Sequence, residues 1–163
     1  MQVSDIMTKE VVSVKPTANI IEVADLLHQG GFNGVPVVEN GKILGMITEA
    51  DLLSRGPGSF HIPSLIKFFH ELKLEKYVQG KPKGDFQSIL KADAESIMNP
   101  DYAAVGPQAE ITELIKIFQE KHVNPIPVID EEKSLVGIVS LSDIVKLISR
   151  FREAELDFIS GGQ

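Results

Sequence analysis

Two short runs carry the residue types best suited to chemistry. In Gly45-Met46-Ile47-Thr48-Glu49-Ala50-Asp51, an apolar strand pattern runs straight into a hydroxyl and, three residues later, a carboxylate. Gly137-Ile138-Val139-Ser140-Leu141-Ser142-Asp143 repeats that order. As local structure, Thr48-x-x-Asp51 and Ser140-x-x-Asp143 are capping boxes: the hydroxyl accepts from backbone N–H groups at a helix start, and the acid reaches back. The same geometry has a second use. A helix N-terminus offers N–H groups and a positive dipole end to a phosphate, a hydroxyl adds a donor, and a nearby carboxylate can accept from both hydroxyls of a ribose. The box occurs twice at matching points, which favours a ligand over a cap alone.

A second doubled pattern is Val35-Pro36-Val37 and Ile126-Pro127-Val128. Proline cannot donate to a ladder, so it marks an edge or an interruption. An edge strand leaves backbone groups free to read a purine edge, with flanking valines and isoleucines sandwiching the ring. The plainer alternative is an edge device against aggregation.

Both patterns belong to a longer repeat. Ser4–Leu53 lies over Glu95–Val145, with Ile6-Met7 on Ile97-Met98, Pro16 on Pro107, Asn33 on Asn124 and Pro36 on Pro127, all displaced by 91. Beyond the turn the displacement is 92: Gly45 on Gly137, Thr48 on Ser140, Asp51 on Asp143. The extra residue falls between Asn40-Gly41 and Glu131-Glu132-Lys133, where a turn tolerates insertion. Each half reads as a short strand (Val11–Val14; Ala103–Val105) and an amphipathic helix from Ile20 or Ile111. The helix stops at Gly30-Gly31 in one half and at Lys121-His122 in the other. Strands Val35–Val38 and Ile43–Thr48, or Ile126–Ile129 and Leu135–Ser140, follow, and a last helix starts near Glu49 or Leu141. The order is β-α-β-β-α, twice. A unit this short buries too little of its surface alone, so the expectation is two repeats stacked about a pseudo-twofold axis, with two related clefts.

Composition narrows the function classes. The chain has 163 residues, 43% of them hydrophobic, and a formal charge of −7. An acidic protein is a poor partner for nucleic acid or an anionic membrane. Cysteine is absent, which removes disulfides and a thiolate nucleophile and fits a cytoplasmic setting. The start, MQVSDIMTKE, lacks a signal-peptide apolar core, and no run of 18 apolar residues spans a bilayer. No Gly-x-Ser-x-Gly elbow, P-loop or His-Glu-x-x-His motif occurs. The expectation is a protein that is not an enzyme.

The doubled strand-helix-(apolar-Pro-apolar)-(Gly-x-x-Ser/Thr-x-x-Asp) layout resembles tandem cystathionine-β-synthase (CBS) repeats, the Bateman module, over residues 3–53 and 94–147. The resemblance implies an α/β fold of two β-α-β-β-α repeats with pseudo-twofold symmetry plus a helical insert. It divides the chain into repeat 1 (1–53), insert (54–93), repeat 2 (94–150) and a C-terminal helix end and tail (151–163). It implies a non-catalytic, energy-sensing regulatory module with AMP, ADP or ATP as regulatory ligand in the cleft between repeats, and no metal. Carried over residue by residue, the main cleft takes Ser140, Ser142, Asp143, Pro125 and Ile126, closed by Met7, Val12, Phe32 and Asn33. The second takes Thr48, Asp51, Gly34 and Val35, closed by Met98, Ala103, Val123 and Asn124. Ala50 stands where Ser142 stands, so the Asp143 cleft is expected to dominate. Gly34 and Pro125 occupy a position where some nucleotide-binding members place a basic residue. The resemblance also implies a homodimer, with Ile144, Leu147, Ile148 and Phe151 supplying contact, and signalling by population shift to a separate effector protein. The rivals are a ligand-free dimerisation scaffold, or the same cleft holding S-adenosylmethionine or a cyclic dinucleotide.

Residues 54–93 match neither repeat. Gly56-Pro57-Gly58 reads as a turn, and Pro63 opens a helix to about Val78 with Leu65, Phe68, Phe69, Leu72 and Tyr77 apolar. Gln79–Gly84 breaks it before the apolar stretch Phe86–Leu90. Lys67, Lys73, Lys81 or Lys83 could stand in for the missing basic residue, and His61 and His70 lack partners at metal-ligand spacing.

Overall fold

Asn40 and Gly41 both take positive φ (52° and 79°), the requirement of a two-residue type I′ hairpin turn. That turn joins β1 (Gly34–Glu39) to β2 (Lys42–Thr48) as an antiparallel pair with Val35 opposite Ile47 and Val37 opposite Gly45. The computed structural model describes residues 1–54 and 91–160, with side chains at 1–52 and 91–150. The insert helix expected at 63–78, the stretch 86–90 and the lysines and histidines singled out there lie outside the described residues.

The described chain forms two compact units, one of Val12–Tyr102 and one of Met1–Val11 with Ala103 onward. In the first, α1 (Ile20–Gly30) starts at Asn19, whose side chain accepts from Ile21 and Glu22 N–H while Glu22 reaches back to the Asn19 N–H. It stops at Gly31, in the left-handed conformation at φ 61°. Ile20, Val23 and Leu27 are buried, whereas Ala24, beside Val23, is exposed. α2 (Glu49–Ser54) follows β2 directly, and α3 (Ala94–Ile97) is capped by Asp93. The core gathers Val14, Ile20, Val23, Leu27, Val35, Val37 and Ile47 with Ala92, Ala94 and Ile97.

The second unit repeats the plan. α4 (Ile111–Lys121) ends at His122, a non-glycine left-handed cap (φ 51°). β3 (Ile126–Ile129) and β4 (Leu135–Val139) pair antiparallel around a five-residue turn, where Asp130 Oδ1 accepts from the Glu132 and Ser134 N–H groups. α5 (Leu141–Ser160) follows. Its core joins Val3, from a 3-10 turn at Val3–Asp5, to Val105, Leu114, Phe118, Ile126, Val128 and Val139. Each core is thus completed by a segment that precedes the helix of the other repeat: Val3 here, Ala94 and Ile97 there. Full burial of one such side chain stabilises by about 1.5–3 kcal/mol, which accounts for the tethering of these short segments.

The strands expected at Val11–Val14 and Ala103–Val105 shrink to single parallel bridges, Val14 to Val37 and Val105 to Val128. Pro16 and Pro107 follow within two residues and turn the chain away. These bridges also correct the expectation of a free edge at the prolines. Val14 N–H donates to the Pro36 carbonyl (3.0 Å) and Val105 N–H to the Pro127 carbonyl (3.2 Å). The return bonds come from Val38 and Ile129, so the bridge bypasses the nitrogen that proline lacks.

Candidate functional site

The opposite edge of each hairpin is crossed by a methionine-led segment. Met46 exchanges both backbone hydrogen bonds with Asn99, and Ile138 does so with Thr8. A Cβ on Gly45 would lie 2.8 Å from both the Asn99 carbonyl and the Met98 sulfur, and one on Gly137 would lie 2.5 Å from the Met7 sulfur and 3.2 Å from the Thr8 carbonyl. The glycine of each Gly-x-x-Ser/Thr-x-x-Asp run is therefore required by close approach of the chain. It brings Met7 to the strand that ends at Val139, just before Ser140, and Met98 to the strand that ends at Thr48.

At those strand ends the two boxes form, with different hydrogen bonding. In the first, Thr48 N–H and hydroxyl both donate to Asp51 Oδ2 (2.9 and 2.7 Å), and Asp51 N–H donates to Thr48 Oγ1 at 3.3 Å. In the second, Ser140 N–H and hydroxyl donate to Asp143 Oδ2 (2.8 and 2.7 Å), but Asp143 N–H donates to the Ser140 carbonyl instead. Ser140 Oγ lies 2.6 Å from Ser142 Oγ. A hydroxyl carries one proton, and that of Ser140 is engaged by Asp143, so Ser142 is the donor of this pair. The exposed Ser142 hydroxyl is the outer, rotatable end of a chain running Ser142 to Ser140 to Asp143. Ala50 replaces it in the first box.

Asp143 Oδ1 meets Lys146 Nζ at 3.2 Å. Burial pushes the Asp143 carboxyl up, but the Ser140 N–H, the Ser140 hydroxyl and Lys146 outweigh it and hold the group below its ordinary range. Leu141 N–H, at the start of α5, donates to the side-chain oxygen of Asn124 (3.0 Å), whereas Glu49 N–H at the matching point donates to the backbone carbonyl of Asn33. Sequence reasoning missed Lys146 and the capping role of Asn124. The i, i+3 spacing of Asp143 and Lys146 was the available signal for the first. The second needed the path of the chain before β3.

Among the residues assigned to the main cleft, Met7, Pro125, Ile126, Ser140, Ser142 and Asp143 belong to the unit of α5, and Val12, Phe32 and Asn33 to the other. Of the second set, Gly34, Val35, Thr48, Asp51 and Met98 share the unit of β1 and β2, while Ala103, Val123 and Asn124 belong with α5. The expectation that valines and isoleucines beside the prolines sandwich a ring is corrected. Val35, Val37, Ile126 and Val128 are at most 1% exposed and sit in the two cores, because β1 and β3 are covered on both faces. On α5, Ile144 packs against the core, and the exposed apolar residues are Leu141, Val145 and Ile148, with Phe151 outside the described side chains. Among the described residues no group of three or more His, Asp or Glu is placed to hold a metal ion, and no helix is long and apolar enough to cross a membrane.

The model of the CBS domain matches residues 3–58 and 94–150. The chain is 30% identical over 148 residues to the uncharacterized protein MJ0188 of Methanocaldococcus jannaschii, covering 90% of this chain and 43% of that protein. Among solved structures, it resembles CBSX2 in complex with AMP (TM-score 0.68, 19% identity, 93% of this chain and 98% of that one). It also resembles the CBS domain pair of protein MJ0100 in complex with 5′-methylthioadenosine and S-adenosyl-L-methionine (TM-score 0.63, 21% identity, 91% of this chain and 96% of that one). At these identities the structural likeness establishes the fold. Two matched segments spanning most of the sequence place the chain in the CBS domain family, as a tandem pair of its repeats.

Proposed function

We propose that this chain is a non-catalytic regulatory module that binds an adenosyl ligand, an adenine nucleotide first among them, at the start of α5. The observation that carries the reading is the second capping box. Asp143 uses Oδ2 to hold Ser140 and presents Oδ1 on its outer side, while the Ser142 hydroxyl stands exposed beside the helix N-terminus. That arrangement offers an acceptor to ribose hydroxyls and, once the Ser142 hydroxyl rotates away from Ser140, a donor to phosphate on one short arc of backbone. The AMP held by CBSX2 and the S-adenosyl-L-methionine held by MJ0100 support the ligand class, since both carry adenosine. The Thr48–Asp51 box has the same carboxylate and lacks the second hydroxyl, so it is the weaker candidate.

A thermal-shift panel of AMP, ADP, ATP and S-adenosylmethionine, with GMP as control, tests the reading. A ligand at a hundredfold excess over Kd adds about 2.7 kcal/mol to the folded state. This should raise the midpoint by several degrees with an adenosyl ligand and not with GMP, and the rise should vanish in Asp143→Ala measured against its own baseline. Absence of any shift at millimolar ligand would favour a ligand-free scaffold. The outward stripe of Leu141, Val145 and Ile148 on α5, 48–64% exposed at helical spacing, supports the further reading that the chain self-associates and passes the ligand signal to a separate effector protein. Sedimentation of the purified chain as a monomer at tens of micromolar would count against that dimer.

A further inference from the structure

The Asp143 carboxylate poses an electrostatic difficulty for the proposed site. It accepts ribose hydroxyls well, but it places a negative charge where a phosphate must come close. Lys146 answers that difficulty. Its Nζ lies 3.2 Å from Asp143 Oδ1, the oxygen not used by the Ser140 cap. The lysine side chain is 70% exposed, and the contact engages one of its three ammonium protons. An exposed i, i+3 pair of this kind contributes little to stability, so its placement on that oxygen is not explained by folding energetics. Among the described residues, Lys146 is the cation in contact with the site carboxylate.

Resting on the adenosyl-ligand reading above, we propose that Lys146 sets the charge class of the ligand. By neutralising Asp143 it lets the α5 half-site accept a nucleotide carrying phosphate as well as the bare nucleoside. The residue acts on phosphate selectivity, with the ribose contacts left to Asp143. Once ribose hydroxyls take over Oδ1, the flexible ammonium is released and has its three protons for a phosphate oxygen.

Calorimetric titration of wild type, Lys146→Gln and Lys146→Arg with AMP and with adenosine tests this. One unit charge a few ångströms from a phosphate across water changes affinity about five- to tenfold. Lys146→Gln should lose about that factor for AMP while its adenosine affinity stays within about twofold, and Lys146→Arg should keep both. The AMP affinity of the wild type should also fall more steeply with salt than that of Lys146→Gln. An unchanged ratio of AMP to adenosine affinity in Lys146→Gln, whether both are retained or both weakened alike, would overturn the assignment. Wild-type protein that binds neither compound would sink the adenosyl reading itself. Because Lys146 is exposed, the variants should fold with wild-type stability, checked by their melting curves.

Discussion

Removing Ser140 and Asp143 singly and together isolates the bond that organises the start of α5. Asp143→Ala deletes the acceptor of two short hydrogen bonds, from the Ser140 N–H at 2.8 Å and the Ser140 hydroxyl at 2.7 Å, and the partner of Lys146. A capping residue contributes about 1 kcal/mol, and a hydrogen bond to a charged group about 1.5–3 kcal/mol. The exposed lysine contact adds only a few tenths. The single variant should therefore lose roughly 2 kcal/mol. Ser140→Ala keeps the backbone bond and loses the hydroxyl bond, a cost of about 1 kcal/mol. In the double variant the hydroxyl bond is already gone, so the loss should stay near that of Asp143→Ala, leaving a coupling energy of about 1 kcal/mol. Urea unfolding of the four proteins, followed by far-UV circular dichroism, measures it. Strict additivity, within about 0.3 kcal/mol, would show that the 2.7 Å contact does not organise the helix start in solution.

Gly45→Ala should destabilise the fold by about 1–3 kcal/mol, because the added carbon meets the Asn99 backbone carbonyl at 2.8 Å, and chemical denaturation would register it. Gly106→Ala, with open space around its Cβ, serves as the control and should change little. The lowered folded-state pKa of Asp143 means the unfolded chain takes up its proton first as pH falls. The stabilisation from Asp143 is then fully present above the ordinary carboxylate pKa of the unfolded chain and is lost as the pH drops through the lower folded pKa. The acid limb of a stability-versus-pH curve should flatten in Asp143→Asn, and an unaltered limb would contradict that assignment.

Periodicity and turn chemistry made much of the fold legible. Asn40-Gly41 fixed the hairpin, Gly31 and His122 ended the helices where expected, and the acid of each Ser/Thr-x-x-Asp run reaches back as expected, although only the Thr48 hydroxyl accepts from a helix-start N–H. What the sequence concealed depends on long-range contacts. Nothing local announces that Val3, or Ala94 with Ile97, completes a core with strands far along the chain. Without that knowledge, Gly45 and Gly137 read as motif letters, whereas their cause is the backbone crossing beside them. The first strand of each repeat failed for a related reason. Val14 and Val105 have the right residue type, but the prolines two positions on leave room for one bridging residue. The apolar residues beside Pro36 and Pro127 do not face a ligand: proline suggests an open edge strand, but both faces of these strands are covered. Lys146 went unnoticed since a lysine three residues after an acid on a helix is commonplace, and only its position on Asp143 Oδ1 gives it meaning.

The most direct test of ligand binding at the start of α5 is a titration of isotopically labelled protein with AMP, following backbone amide resonances by nuclear magnetic resonance. The amides of Ser140, Leu141, Ser142 and Asp143 should show the largest, saturable shifts, and that of Leu141 should respond as Asn124 yields its cap. Saturable shifts that leave these four amides in place and cluster elsewhere, or no shifts at millimolar AMP, would contradict a nucleotide site at this helix start.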